Sequence, residues 1–507
     1  MKTQRLFLLL LLLCGTASAA VPSSVNNDDS CDVKVGPAAT LLLPYFEVDT
    51  DGTSGQTTLF TITNVTRYPQ IAHVTLWTDW AYPVLTFNLF LTGYDVQAIN
   101  MADVLVRGVI GPPSGTSSAT TPGSLSASTN PNLQTPLNCA NNPGTIPQAI
   151  MTTVRNALRF GIFGVFPQPG QSTCNTSGGV HFNAIGYATI DVVAGCTNRM
   201  PSDPLYYTTD LLFDNVLIGD YQQLGANPAG GGPRSVFDAA GNPMVHIRAV
   251  PEGGGAGSNV GTALPYTFYD RYTPASTRTF DRRQPLPSTF AARFIEFGPG
   301  MFATNLTIWR EGLNGSDASC ASYANNNSVM RVGELVRFDE HENARGFVFS
   351  PICTPCGPSA PTLPATSSTA SSGPTYPQET GSDVGGWLYL NLDNGGSTSY
   401  SVTKDIGGVP GPTSTRTNLA PVGSTTAIGP RPSQNWVTVT MFGTAGGNRM
   451  TAEFDAASLG NGCSPAAFPS ANIPIAPAGG VFVCPPGTTL TDGTTTLCRG
   501  TNVNPPP

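Results

Sequence analysis

Few positions in this sequence combine residue type and spacing in a way that supports chemistry. Glu47, Asp49 and Asp51 alternate ahead of Gly52, and oxygen donors so placed can wrap calcium, which takes six to eight oxygens. An EF-hand loop would run on to a glutamate at its twelfth position, and none stands there. The expectation is therefore a strand-end turn and no bound metal or other cofactor. Cys353-Thr-Pro-Cys356 has the spacing of a redox pair, but that chemistry needs the first thiol at a helix N-terminus to lower its pKa. Here a strand precedes the pair and a Pro/Ser/Thr stretch follows, so both read as structural half-cystines. A zinc site lacks a second CxxC or a histidine pair. The four histidines, His73, His181, His246 and His341, form no HExxH, although His341 sits in the acidic turn Asp339-Glu-His-Glu342. No Gly-x-Ser-x-Gly elbow occurs, which argues against an α/β-type serine hydrolase. The glycine-rich run 253–257 leads into no helix that would cradle phosphate. Glycoside hydrolysis stays open, because its two carboxylates can come from distant strands.

Aromatic residues make a second kind of candidate. Thr57-Thr-Leu-Phe-Thr-Ile-Thr63, a turn and His73-Val-Thr-Leu-Trp77 are echoed by Ala291-Ala-Arg-Phe-Ile-Glu-Phe297, a turn and Asn305-Leu-Thr-Ile-Trp309. Trp436-Val-Thr-Val-Thr-Met441 carries the same chemistry with its tryptophan at the other end. Side chains alternate along a strand. Val74 and Leu76 therefore oppose His73, Thr75 and Trp77, and Leu306 and Ile308 oppose Asn305, Thr307 and Trp309. Rings on a sheet surface stack on sugars, so Trp77 and Trp309 are ligand-stacking candidates. Each lies mid-block, however, where a second sheet normally covers both faces, and burial is the favoured expectation.

The elements that must position these residues are mostly strands. Residues 39–48, 57–65, 72–79 and 84–91 are short apolar or alternating runs separated by Gly, Asp, Asn and Pro, the spacing of an antiparallel sandwich. Further strands are expected at 181–193, 243–250, 386–392, 400–403, 436–442 and 450–454, with a β block over 288–350. One helix is predicted over 145–160, with Thr145 as cap, Pro147 in the first turn, and Ile150, Val154, Ala157 and Leu158 on one face. Residues 111–142 read as a long loop and 358–380 as a Pro/Ser/Thr linker looped out of a sandwich. The resulting division is a signal peptide at 1–20, a first β-sandwich region at 32–275, a second at 283–458, and a disulfide-bearing tail at 459–507.

Export is the firmest expectation. Lys2 and Arg5 precede an unbroken apolar run from Leu6 to Leu13 and a small-x-small site at Ala17-Ser18-Ala19, the anatomy of a cleavable signal peptide. The run is too short to span a bilayer as a helix, and no membrane segment is expected after cleavage. Loss of Cys14 leaves ten cysteines, an even number suited to disulfides in an oxidising compartment. Cys174 with Cys196, and Cys484 with Cys498 across thirteen intervening residues, are the expected pairs. Of 24 basic residues, two leave with the signal; against 32 acidic ones the mature charge is −10. Nucleic acid and anionic lipid surfaces are poor partners for such a chain. Charged residues are only 11%, less than half the usual share, so Ser, Thr and Asn must supply the soluble surface.

The echoed hairpins resemble immunoglobulin-like and jelly-roll modules of exported bacterial proteins. That resemblance implies a β-sandwich architecture and a bacterial source, and implies no activity. The sequence therefore predicts a mainly β protein with two antiparallel sandwiches, one short helix and long polar loops. It is expected outside the cytoplasm, periplasmic or extracellular, in a structural or adhesive role with a carbohydrate or cell-surface partner. A polysaccharide hydrolase working through two carboxylates is the alternative.

Overall fold

The computed structural model describes most of residues 35–110, 146–163, 177–224, 240–249, 283–295, 302–312, 330–346, 362–370, 385–392 and 434–459, together with a few isolated positions and short strands elsewhere. The expected signal peptide, Thr145, residues 253–257, Cys353, Cys356 and His341 lie outside the described residues. Most of the 111–142 loop and of the 459–507 tail lies outside them too.

The chain is mainly β, with antiparallel sheets that do not close into barrels. The first half supplies β1 (Thr40–Val48), β2 (Thr57–Asn64), β3 (Gln70–Thr78), β4 (Pro83–Leu91), β5 (Val96–Asn100) and β6 (Ser126–Ser128). There follow helix α1 (Gln148–Phe160), β7 (Ala184–Val193), β8 (Leu217–Leu224), β9 (Ala240–Pro243) and β10 (Val245–Ile247). The second half supplies β11 (Thr289–Ile295), β12 (Phe302–Arg310), β13 (Met330–Arg331), β14 (Glu334–Asp339), β15 (Ala344–Gly346), β16 (Thr362–Leu363), β17 (Thr366–Ala370) and β18 (Gly385–Asn391). Four short strands, β19 to β22, lie between Ser399 and Thr417, before β23 (Asn435–Ala445), β24 (Asn448–Asp455) and β25 (Ala457–Ser458).

A six-stranded sheet, β10-β1-β7-β3-β4-β6, is the centre of the molecule. One of its faces carries Leu41, Leu43, Phe46, Val74, Leu76 and Ile190 into a core shared with the sheet β5-β2-β8-β9 and with α1. The other face sends Leu42, Trp77, Tyr187, Val193 and Val245 into a second core, shared with Phe290, Leu306, Ile308, Trp309 and Leu388. Those residues belong to the sheets β15-β14-β18-β11-β25 and β17-β12-β23-β24. A sheet covered on both sides explains why β1, β3, β4 and β7 are buried almost end to end, and Thr40, Asn88 and Thr189 find partners across the ladder in Asp191, His73 and Trp77. Among the described residues no helix is long and apolar enough to cross a membrane.

Several predicted elements change: short π-helical segments at Asp103–Arg107 and Tyr206–Asp210 join the one expected helix, and Ser126–Ser128, inside the expected 111–142 loop, forms β6 and pairs with β4. Helix α1 begins at Gln148 with Pro147 at its cap position and no capping side chain. Its buried stripe is Met151, Val154, Ala157 and Leu158, with Ile150 only partly covered. Gly161 ends it in the left-handed conformation at φ +63°, as glycine readily does. The predicted 358–380 linker is corrected in part. Thr366–Ala370 forms β17 and pairs with β12 from Asn305 to Trp309. A Thr/Ser segment has no apolar alternation to betray it, and the neighbouring strand decides its conformation.

Candidate functional site

Trp77 and Trp309 are each only 1% exposed, so neither can stack on a ligand from solvent. The echoed strands put both rings against the same residue. Trp77 lies parallel to Tyr187 with centroids 5.7 Å apart, and Trp309 meets Tyr187 edge-on at 5.8 Å. Trp77 also donates its Nε1–H to Thr189 Oγ1 at 2.9 Å. The reversed motif at Trp436 has a geometric reason: β12 and β23 are antiparallel, so Trp309 and Trp436 become direct cross-strand partners. The echo is therefore a core-building device that fastens the two halves together.

The acidic residues before Gly52 do not converge. Asp49 Oδ1 accepts the backbone N–H groups of Asp51 and Gly52, each at 3.0 Å, and its Oδ2 accepts that of Gly55 at 3.0 Å. Gly52 and Gly55 both have positive φ, which allows the chain to fold around this carboxylate. Glu47 instead accepts the Tyr45 hydroxyl and the Asn183 amide, both at 2.7 Å. Asp51 turns outward to Arg159 at 2.8 Å. Three carboxylates thus serve three separate tasks. Among the described residues there is no group of three or more His, Cys, Asp or Glu able to hold a metal.

The densest polar cluster is wholly buried. Asp191 Oδ1 accepts from Thr40 Oγ1 at 2.5 Å and from the Arg283 guanidinium at 2.8 Å. Its Oδ2 accepts the hydroxyls of Tyr206 at 2.5 Å and Tyr269 at 2.9 Å. Arg283 also lies over the Tyr269 ring at 4.3 Å. Burial, together with the negative charge of Asp191, pushes both phenols well above their ordinary pKa, so they remain donors at neutral pH. With Asp191 and Arg283 both fully shielded from solvent, the cluster is a structural clamp closed to substrate.

A histidine–carboxylate contact lies nearer the surface. His181 Nε2 is 2.9 Å from Asp79 Oδ2, and Gly179 donates to Asp79 Oδ1 at 2.9 Å. Burial pulls the His181 pKa down, but the hydrogen bond and charge of Asp79, helped by Glu47, outweigh it and hold the imidazole above its ordinary value. Glu453 and Asp455 share one face of β24 and are the nearest approach to paired carboxylates on a single strand. Glu453 accepts the Tyr221 hydroxyl at 3.0 Å, while Asp455 accepts from Asn242 at 2.8 Å and Trp436 at 3.0 Å. These bonds tie β24 to β8 and β9, a structural task.

What the structure does offer to solvent is an aromatic platform that the sequence reading passed over. Trp387 on β18 is 45% exposed. Its direct cross-strand partners are Arg293 on β11 and Phe338 on β14, and the Arg293 guanidinium lies 4.6 Å from the Trp387 ring centroid. Alternation places Leu388 and Phe294 in the core and Trp387 and Arg293 on the outside. Gly386 makes the site possible, because a Cβ there would sit 2.0 Å from the Phe338 carbonyl oxygen. The signal was present in Gly386-Trp-Leu-Tyr-Leu, where two aromatics alternate with two leucines.

Of the expected disulfide residues, Cys196 is disulfide-bonded. Cys174 and Cys484 lie outside the described residues. Cys498 closes the short strand Thr496–Cys498, which pairs with Thr489–Thr491. Comparison with known protein families, with curated proteins and with solved structures finds no match for this chain.

Proposed function

We propose that the protein is exported, stays in the periplasm or outside the cell, and works there as a structural or adhesive β-sandwich that holds carbohydrate without transforming it. The observation that carries the reading is the solvent-facing Trp387 with Arg293 stacked on it. A flat ring backed by a guanidinium and seated on a rigid sheet offers an apolar face to a sugar ring with little ordering cost. The carboxylates Asp191, Asp49, Glu453 and Asp455 fit the same reading, since their hydrogen bonds are made within the protein. The mature charge of −10 favours partners other than nucleic acid or anionic lipid. The expected Cys174–Cys196 and Cys484–Cys498 bonds suit the same compartment.

The test is a glycan-array and insoluble-polysaccharide retention screen of the mature chain, with reducing-sugar release measured in parallel. Retention that is lost in Trp387→Ala, with no sugar released, supports the proposal. Release of reducing ends by the parent would replace it with the hydrolase, and the absence of any retained glycan would refute it.

A further inference from the structure

We infer that the paired turns carrying Tyr68 and Tyr94 form a second carbohydrate-contact site, selective for neutral polysaccharide; this rests on the glycan-binding reading above. The turn between β2 and β3 and the turn between β4 and β5 lie side by side. Tyr94 donates its N–H to the Thr66 carbonyl at 2.8 Å, and Asn64 Nδ2, fully buried, bonds the carbonyls of Tyr68 at 2.7 Å and Thr92 at 2.9 Å. Approach is so close that a Cβ on Gly93 would stand 2.3 Å from the Arg67 carbonyl oxygen. This knot holds two tyrosines out in solvent, Tyr68 at 58% and Tyr94 at 70% exposure, with the Arg67 guanidinium 4.7 Å from the Tyr68 ring centroid and hydrogen-bonded to its hydroxyl.

Tyr94 is placed at a cost. Its φ is +58°, the left-handed region that a residue with a Cβ adopts with strain. Asp95 steadies the turn, its Oδ2 accepting both the N–H and the hydroxyl of Thr92 at 3.0 Å. Glycine or asparagine would satisfy that conformation more cheaply. A ring this exposed gains little from packing in return, and strain kept without structural benefit points to function.

The ligand class follows from what continues away from the turns. On the outward face of the β5-β2-β8 sheet, cross-strand rows run Val96–Thr63–Ile218, Ala98–Thr61–Asp220 and Asn100–Leu59–Gln222. The hydroxyls and amides there match the donors and acceptors of neutral sugars. The one acid in those rows, Asp220, is held by Thr61, and an acidic mature chain disfavours polyanions.

The experiment compares the full mature chain with Tyr94→Gly, Tyr68→Ala and Trp387→Ala on columns of neutral β-glucan, neutral xylan and anionic alginate, with thermal melts of each. The parent should be retained on a neutral column and not on alginate. Each tyrosine variant should weaken retention about 2- to 10-fold, the range for one stacked ring. Tyr94→Gly should melt at the parental temperature or about 1–2 °C higher, since it relieves the left-handed strain; a purely structural tyrosine would not give weaker binding with a higher melting temperature. Parental retention of both tyrosine variants overturns the inference, and if Trp387→Ala is then the only defective form, the broader proposal stands without it. Retention on alginate alone overturns the neutral class. No retention of the parent on any column fails both.

Discussion

The Asp191 clamp makes the sharpest stability prediction. Asp191→Ala removes one acceptor that serves four donors from four separate chain segments, Thr40, Tyr206, Tyr269 and Arg283. The guanidinium is then left buried without its counter-charge, a loss of about 3–5 kcal/mol. The stranded hydroxyls add about 1 kcal/mol each where they cannot turn to a new partner. Partial relaxation should hold the total near about 5 kcal/mol. Asp191→Asn, which keeps the shape and one acceptor, should lose less. The combination Asp191→Leu with Arg283→Met removes both charges together, and its loss should fall short of the summed single losses by about 2–3 kcal/mol. Equilibrium guanidinium unfolding under non-reducing conditions reads the parent, Asp191→Ala, Asp191→Asn, the single variants Asp191→Leu and Arg283→Met, and their combination. An Asp191→Ala loss below about 1 kcal/mol, or strict additivity in the double variant, would refute the reasoning, because either result means the cluster is not a dry, mutually dependent unit.

Other expectations follow from the same structure. Trp77→Ala and Trp309→Ala should each cost about 3–5 kcal/mol, as buried aromatic truncations do, and thermal melts matching the parent would contradict the shared core around Tyr187. His181 has a folded pKa above its unfolded value, so its contact with Asp79 adds stability that is complete below about pH 6.5 and fades as pH rises through the raised value. The melting-temperature gap between parent and His181→Gln should accordingly be wider at pH 5.5 than at pH 8.5, and a gap that grows with pH would be contrary. Non-reducing peptide mapping should recover Cys174–Cys196 and Cys484–Cys498, each contributing about 3 kcal/mol by restricting the unfolded chain; free thiols at either pair would disprove it. Because Asp49 spends its oxygens on backbone N–H groups, a chelator should leave the melting temperature unchanged, and a drop of several degrees would expose a calcium site.

The central strands were legible because their apolar runs stop at strong turn residues. Residues 57–65 and 84–91 fall within a residue of β2 and β4, and the glycine that ends α1 was visible at Gly161. Strands with polar faces were missed. Leu217–Leu224 reads Leu-Ile-Gly-Asp-Tyr-Gln-Gln-Leu, and Thr366–Ala370 is nearly all hydroxyl; each is a strand because of the neighbour it pairs with, which no local pattern encodes. The tryptophans show the same limit at the level of the site. Alternation placed Trp77 correctly opposite Val74 and Leu76, but whether that face meets water or another sheet depends on residues far along the chain, Tyr187, Trp309 and Leu388 among them. Trp387 carried an equally plain alternation, yet its face of β18 lies toward solvent. Tyr94, in a turn, gave no periodic signal at all; the left-handed backbone that singles it out exists only in three dimensions.

Fluorescence titration of the mature chain with the glycan it retains tests the central claim most directly, since Trp387 is the exposed ring among buried or half-buried tryptophans. A saturable change in tryptophan emission is predicted for the parent and for Tyr68→Ala, and its disappearance in a folded Trp387→Ala protein. Persistence of the full change in Trp387→Ala, or binding by the parent with no change in emission, would contradict the account.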